Sequence, residues 1–299
     1  IQAVGADSVI ALGGGSVIDA AKAAAVLCAH HGDITQYEYG KTPFVRRGLP
    51  LITIPTTAGT GSEVTWWSVI TDPVSHRKFD VGSPLMAAAT ALVDPELTYG
   101  LPKGVTAATA MDALTHAIEA YTTKNAGAHT DALALAAISL IAEHLVACVA
   151  ADRAAKAQVM LAATTAGLAF PNAGLGAVHG LTAPIGGHLG APHGDANAAL
   201  LPHVMAFNRP ACVAKYAEIA RRFGWRGDDD AAGAQEAIVR VRALSRAVGI
   251  PTLRQLGVRD EHVALLARDA LGPNSNCDSN PRAMTLADAE GVLRAALAE

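Results

Sequence analysis

The sequence has no block of lysine or arginine, no acidic tail and no CxxC pair. Each absence removes a class of function. Charged residues make up only 17% of the chain and the net charge is a mild −4, so neither a nucleic-acid surface nor a solvating acidic segment is expected. The four cysteines, Cys28, Cys148, Cys212 and Cys277, are scattered. That pattern fits buried or incidental thiols in a reducing compartment rather than a disulfide framework. The most apolar run, "DALALAAISLIAEHLVACVAA", contains Glu143 and His144 and is rich in alanine. It reads as a buried helix and not as a membrane span. The first residues, "IQAVGADSVIALGGGS", lack the basic stretch of a secretory leader, so a cytoplasmic protein is expected. The 299 residues, 51% of them hydrophobic, suffice for one large or two ordinary domains.

What is present is an alternation, followed by a change of character. "DSVIAL" and "LPLITIP" read as buried strands, with "VTWWSVITD" and "ATALVDP" as further candidates. "SVIDAAKAAAVLCAHH" reads as a helix with Ser16 as its N-cap. Strands alternating with helices predict a parallel sheet with helices on both faces. After "LPKG" every periodic segment is helical, so an α/β domain over residues 1–103 and an all-helical domain over 104–299 are expected. The segment "LTAPIGG" is expected to fold back as a loop.

Two glycine-bearing stretches follow strands. In "ALGGGSVIDAAK" the glycines precede a helix, whose unpaired N–H groups and positive end suit a pyrophosphate. It is neither GxGxxG, because Ile18 stands at the last glycine, nor a GxxxxGK[ST] loop. "PTTAGTGSE" adds hydroxyls from Thr56, Thr57, Thr60 and Ser62. Two such loops at neighbouring strand ends would face one crevice, as a nucleotide site requires.

In "MDALTHAIEAY", Asp112 and His116 lie four residues apart on one helix face, which lets a carboxylate and an imidazole share a metal. Their flanks are apolar, and a buried carboxylate needs a partner. "AVHGLTAPIGGHLGAPHGDANAALLPHVM" holds His179, His188, His193 and His203. Two of these with Asp112 and His116 would form an N₃O set, better suited to Zn²⁺ or Fe²⁺ than to Mg²⁺ or Ca²⁺. Spacing alone does not choose among the four histidines.

Together, "ALGGGSVIDAAK", "PTTAGTGSEVT", "DPELT", "MDALTHAIEAY", "VHG…PIGG…PHGDANAALLPHVM" and "SNPRAMTLADAE" resemble the iron-containing (group III) alcohol dehydrogenases. The motifs stand in that family's order and span nearly the whole chain. The resemblance implies the dehydroquinate synthase-like fold: an N-terminal dinucleotide-binding α/β domain, here with an incomplete parallel sheet, then an all-α domain, with the active site between them. It implies metal ligands, and hence catalytic residues, at Asp112, His116, His179 and His193. It implies cofactor contacts at Gly13, Gly14, Gly15, Ser16, Asp19, Thr56, Thr57, Thr60, Thr65 and Lys78. The implied activity is hydride transfer between an alcohol and NAD or NADP, with Fe²⁺ or Zn²⁺ acidifying the hydroxyl. The implied partners are a small alcohol or aldehyde and a second copy of the chain, with no nucleic acid and no membrane.

Two departures stand out. A histidine that many relatives carry four residues after the first ligand of this segment is Ala183 here, and His188 is a candidate substitute. Relatives also begin about eighty residues earlier, with strands whose loss would bare a sheet edge, favour aggregation and weaken dinucleotide binding. The rival readings are a zinc polyol dehydrogenase, a maleylacetate-type reductase, a dehydroquinate synthase-like lyase and a non-catalytic metal-binding remnant. The reductase and the lyase call for basic pocket residues, of which few flank "PIGGHLGAP".

Overall fold

Short runs of β-branched and apolar residues open the chain as strands. The structure, a computed structural model, describes residues 1–72 and 78–299. Strands β1 (Val9–Gly13), β2 (Leu51–Pro55) and β5 (Thr90–Ala91) form a parallel sheet in the order β1-β2-β5. The register pairs Val9 with Leu51 and Ile52 with Thr90. Helix α1 (Gly15–Leu27) covers one face, where Ala11, Ile18 and Leu51 are buried together. The expected helices on both faces are not found among the described residues. Ile10 and Leu12 point the other way and remain 66% and 58% exposed.

Strand β3 (Trp67–Thr71) was expected in the parallel sheet. It pairs instead with β4 (Lys78–Gly82), antiparallel, from Trp67 opposite Gly82 to Thr71 opposite Lys78. The five residues of β4, "KFDVG", bury only Phe79 and Val81, too short an alternation to stand out in sequence. The expected N-cap of α1 also moves. Gly14 takes that position and Ser16 lies inside the first turn.

The rest is helical: α2 (Lys103–Thr122), α3 (Ala128–Val149), α4 (Arg153–Ala173), α5 (Ala177–Leu189), α6 (His193–Asn208), α7 (Val213–Arg222), α8 (Asp230–Ala247), α9 (Val263–Ala270) and α10 (Leu286–Leu297). Helix α2 is the axle. From Ala110 to Thr122 every residue is buried, because α3, α4 and α6 pack around it. Its alanines bring the neighbours close on every side, and the polar side chains of one face, Asp112, His116 and Glu119, are buried with them. Helix α3 is long and apolar enough to cross a membrane, but Ala134, Ala137, Ile138, Ile141 and Leu145 form a stripe buried in the helical core.

"LTAPIGG" is helix α5, not a loop. Pro184 lies within it, although proline removes a helix hydrogen bond. Burial of Val178, Leu181, Thr182 and Ile185 outweighs that local cost. Gly180 is required by packing: a Cβ there would lie 2.4 Å from Cys277 Sγ.

The loop between β2 and β3 joins the two halves. Gly61 lies against Gly167 of α4, where a Cβ on Gly61 would come within 2.5 Å of the Gly167 Cα. Glu63 Oε1 accepts from the Thr164 hydroxyl of α4 at 2.8 Å. Lys22 of α1, 1% exposed, donates to Ser62 Oγ, Thr65 Oγ1 and the Trp67 carbonyl at 2.7–2.9 Å.

Candidate active site

Asp112, His116 and Glu119 occupy successive turns of one face of α2, all at most 5% exposed. His179 sits in the first turn of α5 and His193 opens α6. A short turn joins those helices, with Gly190 at φ 66°, a left-handed conformation that favours glycine. Three helices thus deliver four side chains to one point. The Nε2 atoms of His116, His179 and His193 stand 3.9, 3.8 and 3.8 Å from Asp112 Oδ1. The ligating atoms of Asp112, His116 and His179 lie within 4.8 Å of one another. His193 meets Asp112 but stands wider of that trio.

Aromatic stacking fixes the rings. His116 lies between Phe170 of α4 and His179, with ring centroids 4.4 and 4.7 Å away and planes nearly parallel. His179 Nδ1 is 2.5 Å from Glu119 Oε2. Asn197, one turn after His193, places its amide nitrogen 2.7 Å from Asp112 Oδ1 and 3.0 Å from the Nε2 atoms of His179 and His193.

The electrostatics suit a cation. Burial pushes His116 down to about 4, against the pull of Asp112. Desolvation around its ring nitrogen, with the charges of His179 and Lys78, takes His193 to about 4 as well, although 43% of that side chain is open to solvent. Both imidazoles are therefore neutral at pH 7, with lone pairs to donate. Burial alone would raise the Asp112 carboxyl, but the three histidines and the Asn197 hydrogen bond bring it below its ordinary range. Burial would lower His179, but Glu119 raises it by charge and hydrogen bond. Among the described residues His116 Nδ1 and Asn197 Oδ1 are buried without hydrogen-bond partners, while His116 Nε2 and the Asn197 amide nitrogen are the atoms turned toward Asp112. One carboxylate with three imidazoles fits a first-row divalent ion.

The two glycine loops adjoin. Thr56 N donates to the Gly13 carbonyl at 3.0 Å. A Cβ on Gly15 would meet the Thr60 side chain at 2.7 Å, and one on Gly14 would touch Thr57 at 3.4 Å. Among the described residues no side chain caps α1 at its N-cap Gly14, whose carbonyl accepts from Val17 N and Ile18 N. Two of the implied cofactor residues are placed differently. The Asp19 carboxylate accepts from Ser62 Oγ at 2.5 Å and from Val69 N at 2.9 Å, tying α1 to the loop and β3. Thr65 is 2% exposed and engaged by Lys22. Lys78 reaches from β4 toward the other half, with Nζ 3.4 Å from where a Gly186 Cβ would stand in α5.

Sequence profiles now decide the family. That described as "Iron-containing alcohol dehydrogenase" matches residues 1–95, and "Fe-containing alcohol dehydrogenase family, C-terminal" matches 106–297. The chain belongs to the iron-containing alcohol dehydrogenase family. It is 43% identical over 295 residues to a lactaldehyde reductase of Escherichia coli, covering 96% of this chain and 76% of that protein. The crystal structure of a 1,3-propanediol oxidoreductase superposes with a TM-score of 0.95 at 39% identity, covering 99% of this chain and 78% of that one. A sulfoacetaldehyde reductase from Bifidobacterium kashiwanohense, solved in complex with NAD⁺, gives 0.89 at 32% identity, covering 99% and 77%.

Membership of an iron-containing family and a similar structure solved with NAD⁺ support a metal and a nicotinamide cofactor. Ala183, one turn beyond His179, is exposed and offers no proton carrier. His188 does not replace it: its Nε2 pairs with Asp269 at 2.6 Å on the surface. His203 is buried 3.6 Å from Glu299, away from the ligand cluster. Glu119 and Asn197 escaped the sequence reading. Each was signalled only by its distance from a ligand, Glu119 seven residues after Asp112 and Asn197 four after His193.

Proposed function

We propose that the chain oxidises a small uncharged alcohol, reversibly, with NAD as the hydride acceptor and Fe²⁺ held by Asp112, His116, His179 and His193. The carrying observation is the convergence of three imidazoles, two of them neutral, on one buried carboxylate oxygen of Asp112. When bound, the ion supplies Lewis acidity to an alcohol oxygen and the nicotinamide accepts the hydride. The chain's own residues do the rest. Asp112 supplies the single negative charge of the ligand set, leaving a net positive site that favours an oxyanion. Phe170 and the stacked rings hold His116 and His179 in fixed planes and exclude water from that side. Gly13, Gly14, Gly15 and Ser16, with Thr56, Thr57 and Thr60, form the proposed cofactor cradle, and Lys78 closes on it from β4. Asp19 and Thr65 support that cradle from behind through Ser62 and Lys22. We place the division between nucleotide and metal domains at residues 103 and 104, and the enzyme in the cytoplasm as a homodimer.

The test is metal analysis of purified protein, with turnover measured on a panel of alcohols and aldehydes with NAD⁺ and NADP⁺. Iron at one equivalent and NAD-linked turnover are expected. Asp112→Ala should lose at least 100-fold in turnover, of the order seen when a key charge-stabilising group is removed, with the circular dichroism unchanged. Full turnover by metal-depleted Asp112→Ala protein would overturn the reading.

A further inference from the structure

Helix α5 starts without a side-chain cap of its own. Its N-cap is Gly176, and its first N–H groups are claimed by residues distant in the chain. Ala177 N donates to Asn280 Oδ1 at 3.1 Å, and Val178 N donates to Glu119 Oε1 at 2.7 Å. The second oxygen of the same carboxylate, Glu119 Oε2, lies 2.5 Å from His179 Nδ1. Space for this is reserved: a Cβ on Gly176 would come within 3.0 Å of both Glu119 Oε1 and Asn280 Oδ1. One buried carboxylate therefore grips the main chain that carries His179 and the ring of His179 together.

We propose that Glu119 is a positioning residue that makes His179 a metal ligand. This rests on the metal site argued above. A carboxylate oxygen can only accept from His179 Nδ1, so the ring carries its proton on Nδ1 and turns an unprotonated Nε2 toward Asp112, where the Asn197 amide also meets it. The bond to Val178 N fixes the first turn of α5, so the ring is held in place as well as in tautomer. The negative charge also lies at the positive end of α5, where it is stabilised. A glutamine at 119 cannot do both. If its oxygen receives Val178 N, its amide group faces Nδ1 as a donor and drives the proton to Nε2, the ligating atom. If it is turned over, its amide faces the Val178 N–H.

Zinc affinity tests this, measured by competition with a chromophoric chelator on the wild type and on Asp112→Ala, Glu119→Gln, His179→Ala and the Glu119→Gln/His179→Ala double variant. Glu119→Gln should weaken zinc by about 10- to 100-fold, and adding it to His179→Ala should weaken zinc no more than about twofold further. Long-range ¹H–¹⁵N spectra of the zinc-loaded wild type should show the His179 proton on Nδ1. Glu119→Asp, which keeps an acceptor, should recover part of the affinity, and it serves in place of Glu119→Gln if that variant does not fold. Wild-type zinc affinity in Glu119→Gln, or equal losses with and without His179, would overturn the proposal. If Asp112→Ala also binds zinc like the wild type, the metal site itself is wrong. If only Asp112→Ala and His179→Ala lose zinc, the metal site stands and the role of Glu119 falls.

Discussion

His116 shows how strongly one residue can report its surroundings. Its ordinary pKa of 6.5 falls to about 4 in the fold because it is stacked between two rings and cut off from water. Between those values the unfolded chain binds a proton that the folded chain refuses. Stability must therefore rise with pH across that window and fall as pH drops from 6.5 toward 4, by a few kcal/mol at most. His179, raised by Glu119, acts with the opposite sign: its contribution is present below 6.5 and is lost as pH climbs through its elevated value. Metal-stripped protein should thus unfold at lower denaturant at pH 5 than at pH 7, and His116→Gln should shrink the difference. An unchanged difference would mean that His116 is not buried as described. Asp112 and His116 were legible in sequence because helical spacing pairs them on an apolar face. The choice of His179 and His193 over His188 and His203 needed the resemblance, since no local pattern separates the four. Asn197 and Glu119 were illegible because their meaning lies in contacts across 85 and 60 positions of chain.

At the scale of elements, packing overrides propensity at Gly180 and Gly61. Helix α5 contains Gly180, Pro184, Gly186 and Gly187, a composition that reads as a turn. It is helical because its apolar face is buried and because Gly180 lets the Cys277 segment come close. The β2–β3 loop uses glycine in the same way. Gly61 has φ 62° and touches the backbone of Gly167. Gly61→Ala combines left-handed strain with a backbone clash, so a loss of about 2–4 kcal/mol is expected in chemical denaturation. Gly187→Ala, with none of the described residues near its Cβ position, should be neutral or slightly stabilising by comparison. Equal effects of the two would refute the close approach. The strands β1 and β2 were legible as apolar runs. The hairpin β3–β4 was not, because its pairing depends on which strand returns beside which.

At the scale of the molecule, the order of an α/β part before a helical part was plain from the change of periodicity near residue 103. The coverage of the sheet was not, since an apolar strand does not say which of its faces is packed. Ile10 and Leu12 are exposed on β1, and among the described residues no strand pairs with its outer edge. Such an edge recruits other strands. The 299-residue chain should self-associate with rising concentration in light scattering, and Leu12→Lys should suppress it. Concentration-independent scattering by the unaltered chain would count against this. The meeting of Gly61 with Gly167 has a mechanical consequence as well. Two main chains that touch with no side chains between them make a fulcrum. Any rotation of one half against the other would move Gly61 and Gly167 least and the residues farthest from them most, so a small roll there would be levered into a larger change of gap between the glycine loops and the imidazoles.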